Sequence, residues 1–226
     1  MKDISCLIFD FDGTLADTGL GITNTIKEML RIMGEPDLDE NRIRLGIGLP
    51  LRESLRIGTG LPEEKLDEAV VTYRKVFDEV AYQYITLFDG VKDTLAELYC
   101  RGYRMGIATS RSPKSLNYLV ETLGIGQYFT VLATVADVAN PKPAPDTVNF
   151  ILDRLDVRPE NTLVIGDTTF DLEMGKRADC MVCGVSYGNH SRERLASVQP
   201  DYIIDTFAEL SDILLRTCGG TWRSSR

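Results

Sequence analysis

Asp10 and Asp12 stand one residue apart where an apolar run, Ile4-Ser5-Cys6-Leu7-Ile8-Phe9, gives way to Gly13 and Thr14. Two carboxylates this close repel each other, and a divalent cation is the simplest group that holds both. Taken alone the pair also suits a turn, because Asp is a turn former. Three further polar groups make it part of a pattern. Thr109-Ser110-Arg111 follows the apolar Gly106-Ile107-Ala108, Lys142 lies in Pro141-Lys142-Pro143-Ala144-Pro145, and Asp167 and Asp171 follow Leu163-Val164-Ile165-Gly166. Together they could serve as the parts of a phosphoryl-transfer centre. One carboxylate can attack phosphorus and form an aspartyl-phosphate. A second can protonate the leaving group and then activate water. Mg²⁺ takes oxygen ligands and bridges carboxylates to phosphate. A hydroxyl and an ammonium neutralise the outer oxygens, where the charge resides. Gly13 allows a turn that exposes amides to the same oxygens.

These residues must be brought together, and the apolar periodicity says how. Strand-like runs recur at Tyr103–Ala108, Phe129–Ala133, Thr162–Ile165, Met181–Val185 and Tyr202–Ile204. Helix-like segments separate them. Val91–Arg101 carries Val91, Leu95 and Leu98 on one face with Gly102 after it. Ser112-Pro113 opens a helix to about Leu123, Pro145 another to about Leu155, and Thr206 with Glu209 forms a capping box for a last one. Alternating strands and helices predict an α/β fold with a doubly wound, mostly parallel sheet. In such a sheet, ligands bind outside the carboxyl ends of the strands, where all four polar groups fall.

Residues 17–86 break the alternation. Ile22, Ile26, Met29, Leu30 and Met33 mark one amphipathic helix, stopped by Gly34. Pro62 starts a longer one with Leu66, Val70, Tyr73, Phe77, Val80 and Tyr84 at helical spacing, a stripe that reads as bundle core. The expected organisation is a discontinuous α/β core of residues 1–16 and 87–217, an all-helical insert of residues 17–86, and a flexible tail of residues 218–226. Trp222 is the one large apolar side chain of that tail.

The bulk numbers exclude other classes. With 226 residues, 43% of them hydrophobic, the chain can bury a sizeable core. A formal net charge of -9 argues against nucleic-acid binding. No apolar run approaches the length of a membrane span, and the first residues lack the pattern of a signal peptide. The five cysteines, an odd number, argue against a disulfide framework. Cys180-Met181-Val182-Cys183 has redox spacing but lies in a strand-like run, which favours packing over chemistry. A cytoplasmic location is the simplest expectation, and with the motifs above a small phosphorylated metabolite is the expected partner, with no obligate protein partner evident.

The four motifs in order, with a helical insert between the first two, resemble the haloacid dehalogenase-like hydrolase superfamily. The sequence is especially similar to its phosphoglycolate phosphatase-like branch, over nearly the whole chain from Ile4 to about Leu214. The resemblance implies a Rossmann-like core, a helical cap and Mg²⁺-dependent phosphatase activity. Asp10 would be the nucleophile and Asp12 the acid/base, with Thr14 orienting Asp12. Thr109 would supply a hydroxyl and Lys142 an ammonium at the phosphoryl group, which Gly13, Thr14 and the Ser110 amide would cradle. Asp10, the Asp12 carbonyl and Asp167 would hold Mg²⁺, with Asp171 acting through water. Dehalogenase members lack the acid at the position of Asp12, which favours phosphatase chemistry. A sugar phosphomutase, a pyrophosphatase and a non-enzymatic phospho-acceptor module are the alternatives.

Substrate choice is expected from the cap. The segment Arg44-Leu45-Gly46-Ile47-Gly48-Leu49-Pro50-Leu51-Arg52 is similar to the glycine-bearing cap loop that faces the active site in such enzymes. It offers Arg44, Gly46, Gly48 and Arg52, and Arg111 follows the second motif, as candidate substrate contacts. His190, the only histidine, is expected at the surface or at a helix start rather than in catalysis.

Overall fold

The computed structural model describes residues 4–217. The tail of residues 218–226, with Trp222, lies outside the described residues. Six strands form one parallel sheet: β1 (Cys6–Phe9), β4 (Arg104–Ala108), β5 (Val131–Ala133), β6 (Thr162–Gly166), β7 (Met181–Val185) and β8 (Tyr202–Ile204). Their order is β5-β4-β1-β6-β7-β8, so β1 is central and flanked by β4 and β6. The chain builds outward on one side of β1 through β4 and β5, then returns to the other side for the rest. That reversal leaves a crevice above the carboxyl end of β1.

Every side chain of β1 is inaccessible to solvent. Cys6 and Ile8 join the apolar cluster on one face, and Leu7 and Phe9 the cluster on the other. A central parallel strand buried on both faces reads as an unbroken apolar run, as Cys6-Leu7-Ile8-Phe9 does. Around the sheet lie α5 (Val91–Cys100), α6 (Pro113–Thr122), α7 (Asp146–Leu155), α8 (Thr169–Arg177), α9 (Arg192–Ala196) and α10 (Glu209–Thr217). The Ser112 side chain caps α6 with Pro113 at its start. Glu209 accepts hydrogen bonds from the Thr206 amide and hydroxyl at 3.0 and 2.9 Å.

Two short strands absent from the sequence expectation, β2 (Ala16–Asp17) and β3 (Thr86–Leu87), pair antiparallel. Two residues carry no periodicity to read, so only the fold reveals them. Between them run α1 (Gly19–Ile32), α2 (Glu40–Arg44), α3 (Leu51–Thr59), α4 (Glu63–Val80) and a single 3₁₀ turn at Tyr82–Tyr84. Gly34, at φ +70°, follows α1 as expected. The apolar stripe of α4 is partly core, with Leu66 fully buried and Tyr73 and Phe77 nearly so, whereas Tyr84, expected to continue that stripe, lies beyond α4 in the 3₁₀ turn and is exposed. Its packing continues that of the sheet's Phe9 face.

Candidate active site

The β1 register sets the site. Phe9 is level with Ile107 of β4 and Ile165 of β6. The Asp10 amide extends the ladder by one bond, donating to the Ile165 carbonyl at 2.9 Å. Asp10, Thr109 and Asp167 therefore emerge at neighbouring strand tips, and all three are buried.

Lys142 reaches this point from the loop before α7. Its Nζ donates to Asp10 Oδ1 at 2.5 Å and Asp171 Oδ1 at 2.6 Å. Burial acts to lower the lysine's pKa, but the attraction of Asp10 and Asp171 prevails, and the group stays an ammonium with a raised pKa. Asp171 Oδ2 accepts from the amide and hydroxyl of Thr168, closing a capping box at the start of α8. Asp171 is thus both a helix cap and a direct partner of Lys142, not only a residue acting through water.

Asp167 is held by three donors. Thr14 Oγ1 donates to its Oδ1 at 3.0 Å, and the amide and side-chain nitrogen of Asn189 donate to its Oδ2 at 2.7 and 2.8 Å. Thr14 therefore orients Asp167 rather than Asp12, because its side chain turns towards β6. Gly13 also departs from expectation. Its amide donates to the Ala16 carbonyl at 2.9 Å and is consumed by the turn. What requires glycine is its φ of +85° and the space beside it, where a Cβ would fall 2.2 Å from Asp167 Oδ2.

Asp10, Asp167 and Asp171 can each point an oxygen at one spot, these atoms lying within 4.8 Å of one another. The second oxygen of Asp10, Oδ2, is buried without a hydrogen-bond partner. Burial raises the pKa of Asp167 to about 7, with Asp171 adding to the rise against the hydrogen bonds from Asn189 and Thr14. Burial likewise raises Asp10 against the attraction of Lys142, and the neighbouring carboxylates add to the rise. Three buried carboxylates against one ammonium leave negative charge in excess. A metal ion fits this all-oxygen set and supplies what it lacks.

Asp12 faces elsewhere. Arg111 Nε lies 3.0 and 2.8 Å from its two carboxylate oxygens, and Nη2 lies 2.6 Å from Oδ1. Arg111 also donates to Ser115 Oγ at 2.7 Å and stacks over Phe11 and Phe77, 5.6 and 5.0 Å from the ring centroids. It sits in the wall of the crevice, committed to Asp12, and not at a rim waiting for substrate. The Thr109 hydroxyl accepts the Arg111 amide at 3.2 Å. Ser110 Oγ donates to the Gly48 carbonyl at 2.8 Å, tying the segment before α3 to the tip of β4.

The expected cap-loop residues divide. A cavity of about 650 Å³ between the helical insert and the sheet is lined by Gly48 and Arg52 as well as Asp10, Asp12, Thr109, Ser110 and Arg111. Gly48, at φ +98°, would place a Cβ 3.0 Å from Thr168. Arg44 and Gly46 are not among the lining residues. The Arg44 guanidinium packs against Gly19, and Gly46 is pressed on α3, where a Cβ would meet the Ser54 carbonyl at 2.3 Å. Arg44 ends α2 and Arg52 lies in α3, so the helices rather than the loop aim them.

Two residues of the loop after β7 serve other elements. Asn189 fixes Asp167, and His190, expected at the surface or at a helix start, is buried and serves the start of α8. His190 Nδ1 accepts the Thr169 amide at 3.0 Å, at the first turn of α8. Burial pushes its pKa down to about 4, with Arg194 adding to the effect. The position of Gly188-Asn189-His190 just beyond a strand was the available signal. Cys180 and Cys183 are buried beside and within β7, and burial pushes the Cys183 thiol up to about 12, as packing residues require.

The family model described as haloacid dehalogenase-like hydrolase matches residues 7–185. The protein named probable phosphatase IndB of Dickeya dadantii is 37% identical over 208 residues, covering 90% of each chain. Phosphoglycolate phosphatase of Salmonella typhimurium is 32% identical, covering 93% of this chain and 92% of its own. A crystal structure of a haloacid dehalogenase-like hydrolase from Bacteroides fragilis superposes with a TM-score of 0.87 at 29% identity, covering 92% of this chain and all of that one.

Proposed function

Because this chain belongs to the haloacid dehalogenase-like hydrolase family, we propose that it is a Mg²⁺-dependent phosphatase cleaving a small-molecule phosphomonoester through an aspartyl-phosphate, as phosphoglycolate phosphatase-like members do. The phosphatase class rests on that membership and on relatives named for phosphatase activity. The observation that carries the mechanism is the division of labour at Asp10. One oxygen is pinned by Lys142, and the other is buried and unpartnered.

Asp10 Oδ2 attacks phosphorus while Asp12, turned from Arg111 to the leaving group and protonated, gives its proton to the departing ester oxygen. Water then attacks the aspartyl-phosphate, Asp12 takes its proton, and phosphate leaves with Asp10 restored. Lys142 holds Asp10 in line, and the Thr109 hydroxyl steadies the transferring group. Asp10, Asp167 and the Asp12 carbonyl would hold Mg²⁺, with Asp171 behind them. When bound, the ion neutralises charge on the phosphoryl oxygens and offsets the carboxylate excess. Thr14, Gly13 and Asn189 keep Asp167 in place.

In this reading the core comprises residues 1–16 and 87–217 and the cap residues 17–86, with the β2–β3 pair as the neck. The partner is a small phosphorylated metabolite, with no nucleic acid, membrane or obligate protein partner. Among the described residues no helix is long and apolar enough to cross a membrane, and a cytoplasmic location is part of the proposal. The test is Asp10→Asn assayed for phosphate release from an aryl phosphate with Mg²⁺. Activity should vanish while circular dichroism shows the fold intact, and full activity in that variant would overturn the assignment.

A further inference from the structure

We propose that the ester cleaved here carries an apolar, ring-sized leaving group seated between cap and sheet, an inference that rests on the phosphatase reading above. The cavity of about 650 Å³ is continuous with the reacting groups, since Asp10, Asp12 and Thr109 form part of its wall. Away from them its wall includes Ile47, Leu49, Val70, Tyr73, Phe77 and Tyr82. Its size is that of pockets which enclose drug-sized ligands of roughly 300–1,000 Å³. The Ser110 hydroxyl already holds the Gly48 carbonyl, so this volume belongs to the arrangement with cap and sheet in contact. A two-carbon leaving group such as glycolate would leave most of it empty.

The charges around the cavity argue the same way. Arg52 is paired with Glu63 at 2.7 Å and Asp67 at 3.1 Å, Arg111 with Asp12, and Lys114 with Asp78 at 3.0 Å. Arg74 also lines the cavity, but from an exposed position on α4. Among the described residues lining the cavity, the least exposed cation, Arg111, is thus committed to Asp12, and a second anionic group on the substrate would meet only the exposed Arg52, Arg74 and Lys114, two of them already paired. A polyhydroxylated body would lose water hydrogen bonds against the walls of Leu49, Val70 and Phe77. A hydrocarbon or aromatic ring loses nothing there and gains from leaving water. Tyr73, Phe77 and Tyr82 pack on one another, with Arg111 over Phe77, and the parts of this aromatic cluster left open to the cavity suit a ring in particular.

Leaving-group acidity must not be confused with fit, so the test compares esters of primary alcohols. Phenylpropyl phosphate, propyl phosphate, phosphoglycolate and a hexose phosphate are assayed with Mg²⁺ for kcat/KM. Phenylpropyl phosphate should exceed each of the others by about ten-fold or more. In Val70→Asp the ratio of phenylpropyl to propyl phosphate should fall towards one, and because it is a ratio within one preparation, loss of folded protein cancels. Preference for phosphoglycolate or the hexose phosphate, or an unchanged ratio in Val70→Asp, would overturn the inference. If Asp10→Asn abolishes release from whichever ester is preferred, the phosphatase reading stands even when this inference falls. Were none of the esters cleaved in an Asp10-dependent way, both would fall.

Discussion

Arg111 grips both oxygens of Asp12 across 99 residues of chain, and does so between a ring of the sheet side, Phe11, and a ring of α4, Phe77. The side chains of the pair are only 9% and 12% exposed. The proposed acid/base thus has its orientation set by a guanidinium that also touches the cap. The leaving-group oxygen has to compete with Arg111 for Asp12.

Arg111→Lys keeps the charge but loses the planar two-point grip and the stacking. The expected result is a fall in kcat of about ten-fold or more, on the scale of a misplaced general acid. The stabilisation of the protein by Mg²⁺ should persist, because the metal-facing carboxylates are untouched. Steady-state kinetics with thermal shift measurements checks both, and an unchanged kcat would remove Arg111 from any positioning role. Arg111→Ala should also destabilise the fold by about 3–5 kcal/mol, since it leaves a largely buried carboxylate alone.

Metal binding should depend on pH in a direction set by Asp167. Its folded pKa of about 7 lies above the ordinary value of 3.8. In the metal-free protein the protonated form therefore favours folding, an effect complete below pH 4 and lost as pH rises towards 7. A divalent cation must displace that proton at lower pH. The rise in Tm caused by Mg²⁺ should be small at pH 5.5 and larger at pH 8. Equal shifts at the two pH values would count against Asp167 as a ligand.

The sheet was legible because its strands are short apolar runs bounded by turn residues, and β1 needed nothing beyond the apolar run Cys6-Leu7-Ile8-Phe9 to be placed. The motif residues were legible because strand ends in a parallel sheet converge, which gives distant residues one address. Pairings were not. Nothing at position 14 says whether Thr14 turns to Asp12 or to Asp167. Nothing at position 111 says whether an arginine beside the second motif serves substrate or Asp12. Arg44 and Gly46 show the same limit from the other side, since the family resemblance suggested a loop aimed at substrate and helix packing used them instead. Asn189 and the Ser110–Gly48 contact depend on side-chain rotamers and on two elements meeting, which no local pattern encodes.

The Ser110–Gly48 hydrogen bond predicts a graded effect on cap closure. Ser110→Ala removes one exchangeable bond, worth about 1 kcal/mol, and should lower kcat/KM by a few fold. Gly48→Val should do more. It places a β-branched residue at φ +98° and a Cβ 3.0 Å from Thr168, which must push the loop away from the sheet. A loss of about ten-fold or more in kcat/KM is expected, with Tm lowered only modestly because the loop joins two helices at the surface of the crevice. If Gly48→Val were as active as Ser110→Ala, the contact would have no part in closure.

His190 predicts a weakness in acid that is separate from the carboxylates. Its pKa of about 4 in the fold lies below the ordinary 6.5, so its neutral form is the one that folds. Stability from this residue is fully present above pH 6.5 and is lost as pH falls towards 4, about 3 kcal/mol in all. The physical cause is its place under α8, where Nδ1 must stay unprotonated to accept the Thr169 amide and Nε2 is buried without an acceptor. His190→Gln stays neutral at every pH in this range. At pH 7.5 it should be the less stable protein, by about 1–2 kcal/mol for the disturbed hydrogen bond and packing. At pH 4.5 the gap should close or reverse, because only the native protein is losing the histidine contribution. Denaturant unfolding in the presence of a chelator separates this from metal release. A gap that stays constant between the two pH values would mean that His190 does not titrate with folding.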